Sequence, residues 1–79
     1  MSEEQHKVTF GEKACGVSFN PGNISDVNKI KKRFAEIVDL LNDFRNDTND
    51  SEVSRMLSIS ITELQTSQMW AVKAVTWNL

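Results

Sequence analysis

The chain is short of everything that usually staples a small protein. Its 79 residues include one cysteine, one histidine, one proline, three glycines and no tyrosine. A lone Cys15 makes no internal disulfide, and Cys15 with His6 falls short of the four ligands a structural zinc needs. Gly11, Gly16 and Gly22 do not form a phosphate-cradling loop. No apolar run reaches 18 residues and no charged-then-apolar leader opens the chain, which reads as a protein with neither transmembrane helix nor signal peptide. One unpaired thiol fits a reducing compartment, so the expected location is the cytoplasm.

A single domain of this length buries only about 60% of its unfolded surface, and without staples such a core is marginal. Self-association is the remaining source of buried area. The formal charge of −2 argues against a duplex nucleic acid as partner, because such binders are usually basic. That total hides a pattern. Residues 1–28 carry −2, residues 29–33 carry +4, residues 34–52 carry −5 and residues 53–79 carry +1. A compact basic run is set into an acidic chain, large enough for a small anion and too short to track a duplex.

Met1 to His6 are polar and read as a frayed end. Lys7-Val8-Thr9-Phe10 and Gly16-Val17-Ser18-Phe19 each alternate polar and apolar, with turn-forming residues between them. The pattern suits a short β-hairpin or, equally, an extended arm that lays its Phe residues over a helical core. Asn20-Pro21-Gly22-Asn23 breaks the chain, since Pro21 moves Asn20 out of helical geometry and Gly22 opens a turn. A helix is expected from Asn23 or Ser25, either of which caps, with Asp26 near the positive end of its dipole. Val27, Ile30, Phe34, Ile37, Val38, Leu41 and Phe44 recur at steps of three and four, the strongest periodicity in the chain.

The polar connector 46–50 leads to Ser51, a good cap for a second helix whose face is Val53, Leu57, Ile61, Leu64, Gln68, Val72 and Val75. No Pro or Gly interrupts residues 53–79. The helices would be about 30 and 40 Å long, and so short a connector makes them antiparallel neighbours. The expected architecture is mainly α: one domain, with an N-terminal arm or hairpin over residues 1–22 and a two-helix hairpin over 23–79. Met56, Ile59, Trp70, Ala74 and Trp77 form a second apolar stripe on the later helix. A helix apolar on two sides is buried on two sides, and the natural partner is another copy of the chain.

Nothing in the chain has the layout of an enzyme. Cys15 has no sequence neighbour to serve as base, and Asp39 and Asp43, one helical turn apart, read as a solvated face. No catalytic, cofactor or metal site is expected. Two clusters invite a ligand reading beside a plainer one. Lys29, Lys31, Lys32 and Arg33 either solvate the helix or hold phosphate near its N-terminus, with Lys31 flanking the seam and Lys29 and Lys32 facing outward. Thr62, Gln65, Thr66, Met69, Trp70 and Lys73 share one broad side of the second helix. They either fix the register between copies or form a pocket in which Lys73 meets phosphate and Trp70 or Met69 packs on a base.

Two segments carry a resemblance. Phe19-Asn20-Pro21-Gly22 followed by Val27-Asn28-Lys29-Ile30-Lys31, and the run from Ile61 through Thr62-Glu63-Leu64-Gln65-Thr66-Ser67-Gln68-Met69-Trp70-Ala71-Val72-Lys73-Ala74 to Trp77, resemble the phage hairpin-domain proteins that counter CBASS and Thoeris immunity. The likeness spans roughly residues 19–77, and its second segment is the more specific. It implies a sponge, a small helical homo-oligomer (typically a hexamer) in the host cell cytoplasm that sequesters cyclic nucleotide signals without cleaving them. Cyclic dinucleotides or cyclic ADP-ribose isomers would bind between paired subunits, with Phe19 stacking, Asn20 bonding base or ribose and Lys31 meeting phosphate. Cyclic trinucleotides would bind where three subunits meet, through Gln65, Met69 and Lys73, with Thr66 and Trp70 beside them. The dinucleotide-binding branch usually has a Tyr in its N-terminal arm, and Phe19 stands in for it here without a hydroxyl to donate. Lys73 takes the place of a frequent Arg and lacks its planar fork.

Overall fold

The computed structural model describes residues 7–79. Three helices follow in order: α1 (Phe10–Cys15), α2 (Ser25–Asp47) and α3 (Ser51–Val75). The frayed end expected over Met1–His6, with His6 itself, lies outside the described residues.

The arm is helical where the sequence pattern suggested a hairpin or extended segment. Thr9-x-x-Glu12 is a capping box: the Thr9 hydroxyl accepts from the Glu12 N–H at 3.0 Å while the Glu12 carboxylate accepts from the Thr9 N–H at 3.0 Å. Gly16, at φ 63°, closes the helix in the left-handed conformation that glycine adopts without strain. Two such signals outweigh a short alternation. No strand occurs among the described residues.

A six-residue helix does not stand alone, and α1 is held by α2. It lies antiparallel across the face formed by Lys31, Ala35 and Asp39, successive positions four apart. At its N-terminus the Gly11 N–H donates to Asp39 Oδ1 at 2.7 Å. At its C-terminus the Lys31 ammonium donates to Gly16 O at 3.1 Å and to Phe19 O at 2.5 Å. Anion at the start and cation at the end match the α1 dipole. Asp39 is therefore a cap for another helix, not one of a pair of solvated carboxylates. Between the two anchors Gly11 and Ala35 meet backbone to backbone: a Cβ at Gly11 would stand 2.2 Å from the Ala35 carbonyl oxygen.

This contact rotates the buried face of α2 away from its apolar periodicity. The buried residues are Val27, Lys31, Ala35 and Val38, whereas Ile37 and Phe44, expected in the seam, are exposed together with Leu40. The reason is that α2 serves two neighbours, α1 and α3, and close approach to α1 demands the small Ala35. Cys15, Ala35, Val38 and Ile61 form the core, with Ala14, Val17, Phe34, Leu41 and Leu64 packed around it. Arg45 ties the layers at the other end. Its guanidinium donates to Ser58 Oγ at 3.0 Å and Asn42 Oδ1 at 2.7 Å and lies 5.3 Å from the centre of the Phe10 ring.

The helix limits differ from expectation at three points. Neither Asn23 nor Ser25 caps α2; the cap position is Ile24, Asn23 takes a left-handed φ of 49°, and Ser25 is already helical. Asp50, not Ser51, caps α3, accepting from the N–H groups of Glu52 and Val53. That helix stops at Val75 instead of running to Leu79, where the Thr76 hydroxyl turns back onto Val72 O at 2.8 Å.

The molecule is only 13 Å across its thinnest axis, one helix deep. A single layer has two broad faces and no second layer to cover them. The second stripe on α3 is accordingly uncovered in the chain, with Met56, Ile59, Trp70 and Trp77 all exposed.

Replacing Gly11 with Ala is expected to destabilise the fold by about 2–4 kcal/mol, since the new methyl overpacks a backbone contact. Urea unfolding followed by circular dichroism measures it. Glu36→Ala on the exposed face serves as control and should stay within ~0.5 kcal/mol.

Candidate functional site

Two places combine an exposed aromatic ring with a lysine. The first is built by the loop from α1 to α2. Phe19 is 71% exposed, and the Lys31 ammonium stands 5.5 Å from its ring centre, within cation–π range. Lys31, expected to flank the seam and lean towards a partner interface, turns instead into its own chain beneath the α1–α2 loop. It is 7% exposed, and its Nζ is fixed by two backbone carbonyls, which supply the bonds a buried ammonium requires. Those carbonyls use two of its three N–H donors. Lys29 and Lys32 are exposed, and Arg33 pairs with Glu36 at 3.4 Å in solvent.

Asn20 adjoins this pair without facing it by its amide. The Asn20 Oδ1 accepts from the Ile24 N–H at 3.2 Å, and its Nδ2 donates to Ile24 O at 3.0 Å. The backbone closes the same turn, with the Asn23 N–H donating to Asn20 O at 2.8 Å.

The second place lies on α3. Gln68 and Ile61 are its buried residues, and about 140° round the helix from Gln68 comes Lys73. Thr66 and Trp70 lie about 20° and 60° from Lys73 on that outward side, Trp77 follows just beyond the end of α3, Met69 lies between Lys73 and the seam, and Gln65 is half-buried at its edge. The Lys73 ammonium is 5.1 Å from the Trp70 ring centre and 5.9 Å from that of Trp77. Trp70, Lys73, Ala74 and Trp77 line one shallow cleft. Trp77 was legible only as part of an apolar stripe. Its spacing of seven from Trp70 and four from Lys73 is the signal that places it beside the cation. Thr66 turns its hydroxyl toward Thr62 O at 3.4 Å.

The structure thus brings Phe19 and Lys31 together, and Trp70 and Lys73 together, while the two groups remain apart. Phe19 and Lys31 belong to the α1 side of α2; Lys73 is on the side of α3 turned away from its seam.

A family model for the Acb2/Tad1 hairpin domain matches residues 9–76, nearly the whole chain. The chain belongs to this Acb2/Tad1 hairpin-domain family. It is the anti-CBASS and anti-Thoeris sponge family, known for holding cyclic nucleotides and not for catalysis. No curated protein and no solved structure matches the chain. The family match begins at Thr9, so it takes in α1 as well as the hairpin. Among the described residues no helix is long and apolar enough to cross a membrane.

Cys15 is the thiol that senses Lys31 of the first place, and the fold silences it. Burial pushes its thiol above the ordinary range, Asp39 adds to the rise, and Lys31 opposes it more weakly. A raised thiol is protonated at neutral pH and shielded by the core. Cys15 should therefore resist a disulfide reagent at pH 7.5 while the protein is folded and react once urea unfolds it. Fast labelling of the folded protein would contradict the packing of α1 described here.

Proposed function

We propose that this Acb2/Tad1-family protein binds and sequesters cyclic nucleotide immune signals without cleaving them, and so counteracts bacterial anti-phage defence from within the host cytoplasm. The observation that carries the reading is the double occurrence of an exposed aromatic ring beside a lysine ammonium. A cyclic nucleotide offers a flat base and an anionic phosphate close together, and each pair answers both. At the first place Phe19 stacks on a base and the free donor of Lys31 meets a phosphate, with Asn20 adjoining. This place serves cyclic dinucleotides or cyclic ADP-ribose isomers between paired subunits. At the second, Gln65, Thr66, Met69, Trp70 and Lys73 receive a cyclic trinucleotide where subunits converge.

The assembly is a homo-oligomer, a hexamer in the family pattern. Its physical motive is the single-layer shape, which exposes Ile37, Leu40 and Phe44 on α2, Met56, Ile59 and Trp70 on α3, and Trp77 just beyond it. A rival reading keeps the oligomer and drops the ligand: the polar residues of α3 then only set register between copies. The uncovered stripe favours it equally, since any self-associating module needs one.

Calorimetry against cyclic di- and trinucleotides and cyclic ADP-ribose isomers separates the two readings. Micromolar or tighter binding, with intact ligand recovered after denaturation, is expected; no binding to any of them leaves the ligand-free module. Light scattering should give a mass several times 9.0 kDa, and a stable monomer would remove both readings. Phe19→Ala and Lys73→Ala are expected to weaken different ligand classes, each by roughly tenfold or more, the worth of one stacked base or one charged contact. Phe19 is the better probe of the first place because Lys31 also anchors α1.

A further inference from the structure

We infer that Asn20 acts on the Phe19–Lys31 place by positioning its loop, and not by reading the ligand's base or ribose. The inference rests on the sponge reading and narrows how its first place works. Both polar atoms of the Asn20 amide are engaged within the chain, Oδ1 by the Ile24 N–H and Nδ2 by the Ile24 carbonyl, and although each keeps a second hydrogen or lone pair, the two bonds together fix the amide plane against the start of α2. An amide that bonds both backbone groups of one residue closes a ring across Pro21, Gly22 and Asn23. Asn23 is held there in a left-handed conformation, at φ 49°, which non-glycine residues rarely adopt. The same Ile24 is the cap position of α2, whose own side chain offers no cap. Asn20 thus satisfies from four residues upstream the N–H of the cap residue itself, the group that the N3 carboxylate of a capping box ordinarily takes.

What the ring holds is the level of the loop relative to α2. Phe19 is the residue immediately before Asn20, and the Phe19 carbonyl is one of the two acceptors for Lys31 Nζ. The Phe19 N–H in turn donates to Gly16 O at 2.9 Å, the other acceptor of the same ammonium. Asn20 therefore joins the start of α2 to a loop whose carbonyls aim Lys31 and whose ring covers it. Ring and cation are presented in a fixed relation before any ligand arrives, which lowers the ordering cost of binding.

Positioning and direct contact differ in what they do to base selectivity. A side chain bonded to a base edge discriminates between bases, and its loss changes the ratio of affinities. A side chain that only sets the loop weakens every ligand of that place alike. The test measures affinities for cyclic di-AMP and cyclic di-GMP by calorimetry in the wild type, Asn20→Ala and Asn20→Asp, with amide exchange at Ile24 and Asn23. Asn20→Ala should weaken both ligands by a similar factor, on the order of tenfold for a lost pair of local bonds, and speed exchange at Ile24. Asn20→Asp keeps the acceptor for the Ile24 N–H and loses the donor, so it should fall between. The melting temperature of each variant identifies simple unfolding, and Asn20→Asp retains the test if Asn20→Ala does not fold. A change in the adenine-to-guanine ratio of more than ~5-fold overturns the inference, as does unchanged affinity alongside faster Ile24 exchange. If the wild type binds neither ligand but binds a cyclic ADP-ribose isomer, the same comparison is made with that isomer and its base-modified analogue. If it binds none of them, the sponge reading falls and this inference falls with it. Unchanged Ile24 exchange in Asn20→Ala overturns the clasp whatever the ligands do.

Discussion

The antiparallel clamp of α1 on α2 is the contact on which the rest of the molecule depends. Three residues of α2 at four-residue spacing provide it: Asp39 receives the first turn of α1, Ala35 lets the backbones touch, and Lys31 closes the last turn and the loop beyond. Each end satisfies backbone groups that a six-residue helix leaves open, and each places the sign of charge that the dipole favours. Cys15 reaches the core only because α1 is seated this way, so the cluster of Cys15, Ala35, Val38 and Ile61 follows from the same clamp.

The clamp also links stability to the proposed ligand place. Lys31 is a structural residue by its carbonyl bonds, and in the proposed function its remaining donor meets a phosphate. In that reading one side chain carries both stability and ligand binding. Arg would carry the charge, but its planar fork does not match two carbonyls converging on one point. The α3 place has no such entanglement. Lys73 and Trp70 are exposed side chains on one regular helix, with exposed Trp77 just beyond its end, free to vary without loosening the core. The two places are therefore expected to tolerate substitution very differently.

The two long helices were legible because their signals are local and repeated. Steps of three and four across residues 27–44 and 53–75 predict amphipathic helices, and a polar connector free of regular structure predicts their antiparallel return. The helix over Phe10–Cys15 was hidden by the same kind of reasoning. Four alternating residues resemble a strand, and the Thr9-x-x-Glu12 box that decides the matter is a two-residue signal. Even that box would not hold so short a helix without Asp39 and Lys31, which lie far along the chain. The placement of Lys31 was likewise out of reach, since a lysine beside a seam normally solvates and only the carbonyls of Gly16 and Phe19 draw this one in.

What the sequence determined by itself is the helical hairpin, the scarcity of staples and the surplus of apolar surface, because period, composition and turn chemistry are written in neighbouring residues. It also marked Phe19, Lys31, Trp70 and Lys73 as residues of interest, through the family likeness and the unusual mixture of rings and cations. Tertiary structure alone decided which of them meet. Phe19 and Lys31 are joined by backbone carbonyls that any residue could have supplied, so no side-chain pattern announces the bond. Tertiary structure also rotated α2 so that Ala35, and not the larger Ile37, faces α1. The cause is that a short helix docked close against a long one leaves room for a small residue at the crossing and calls for charge at the two ends.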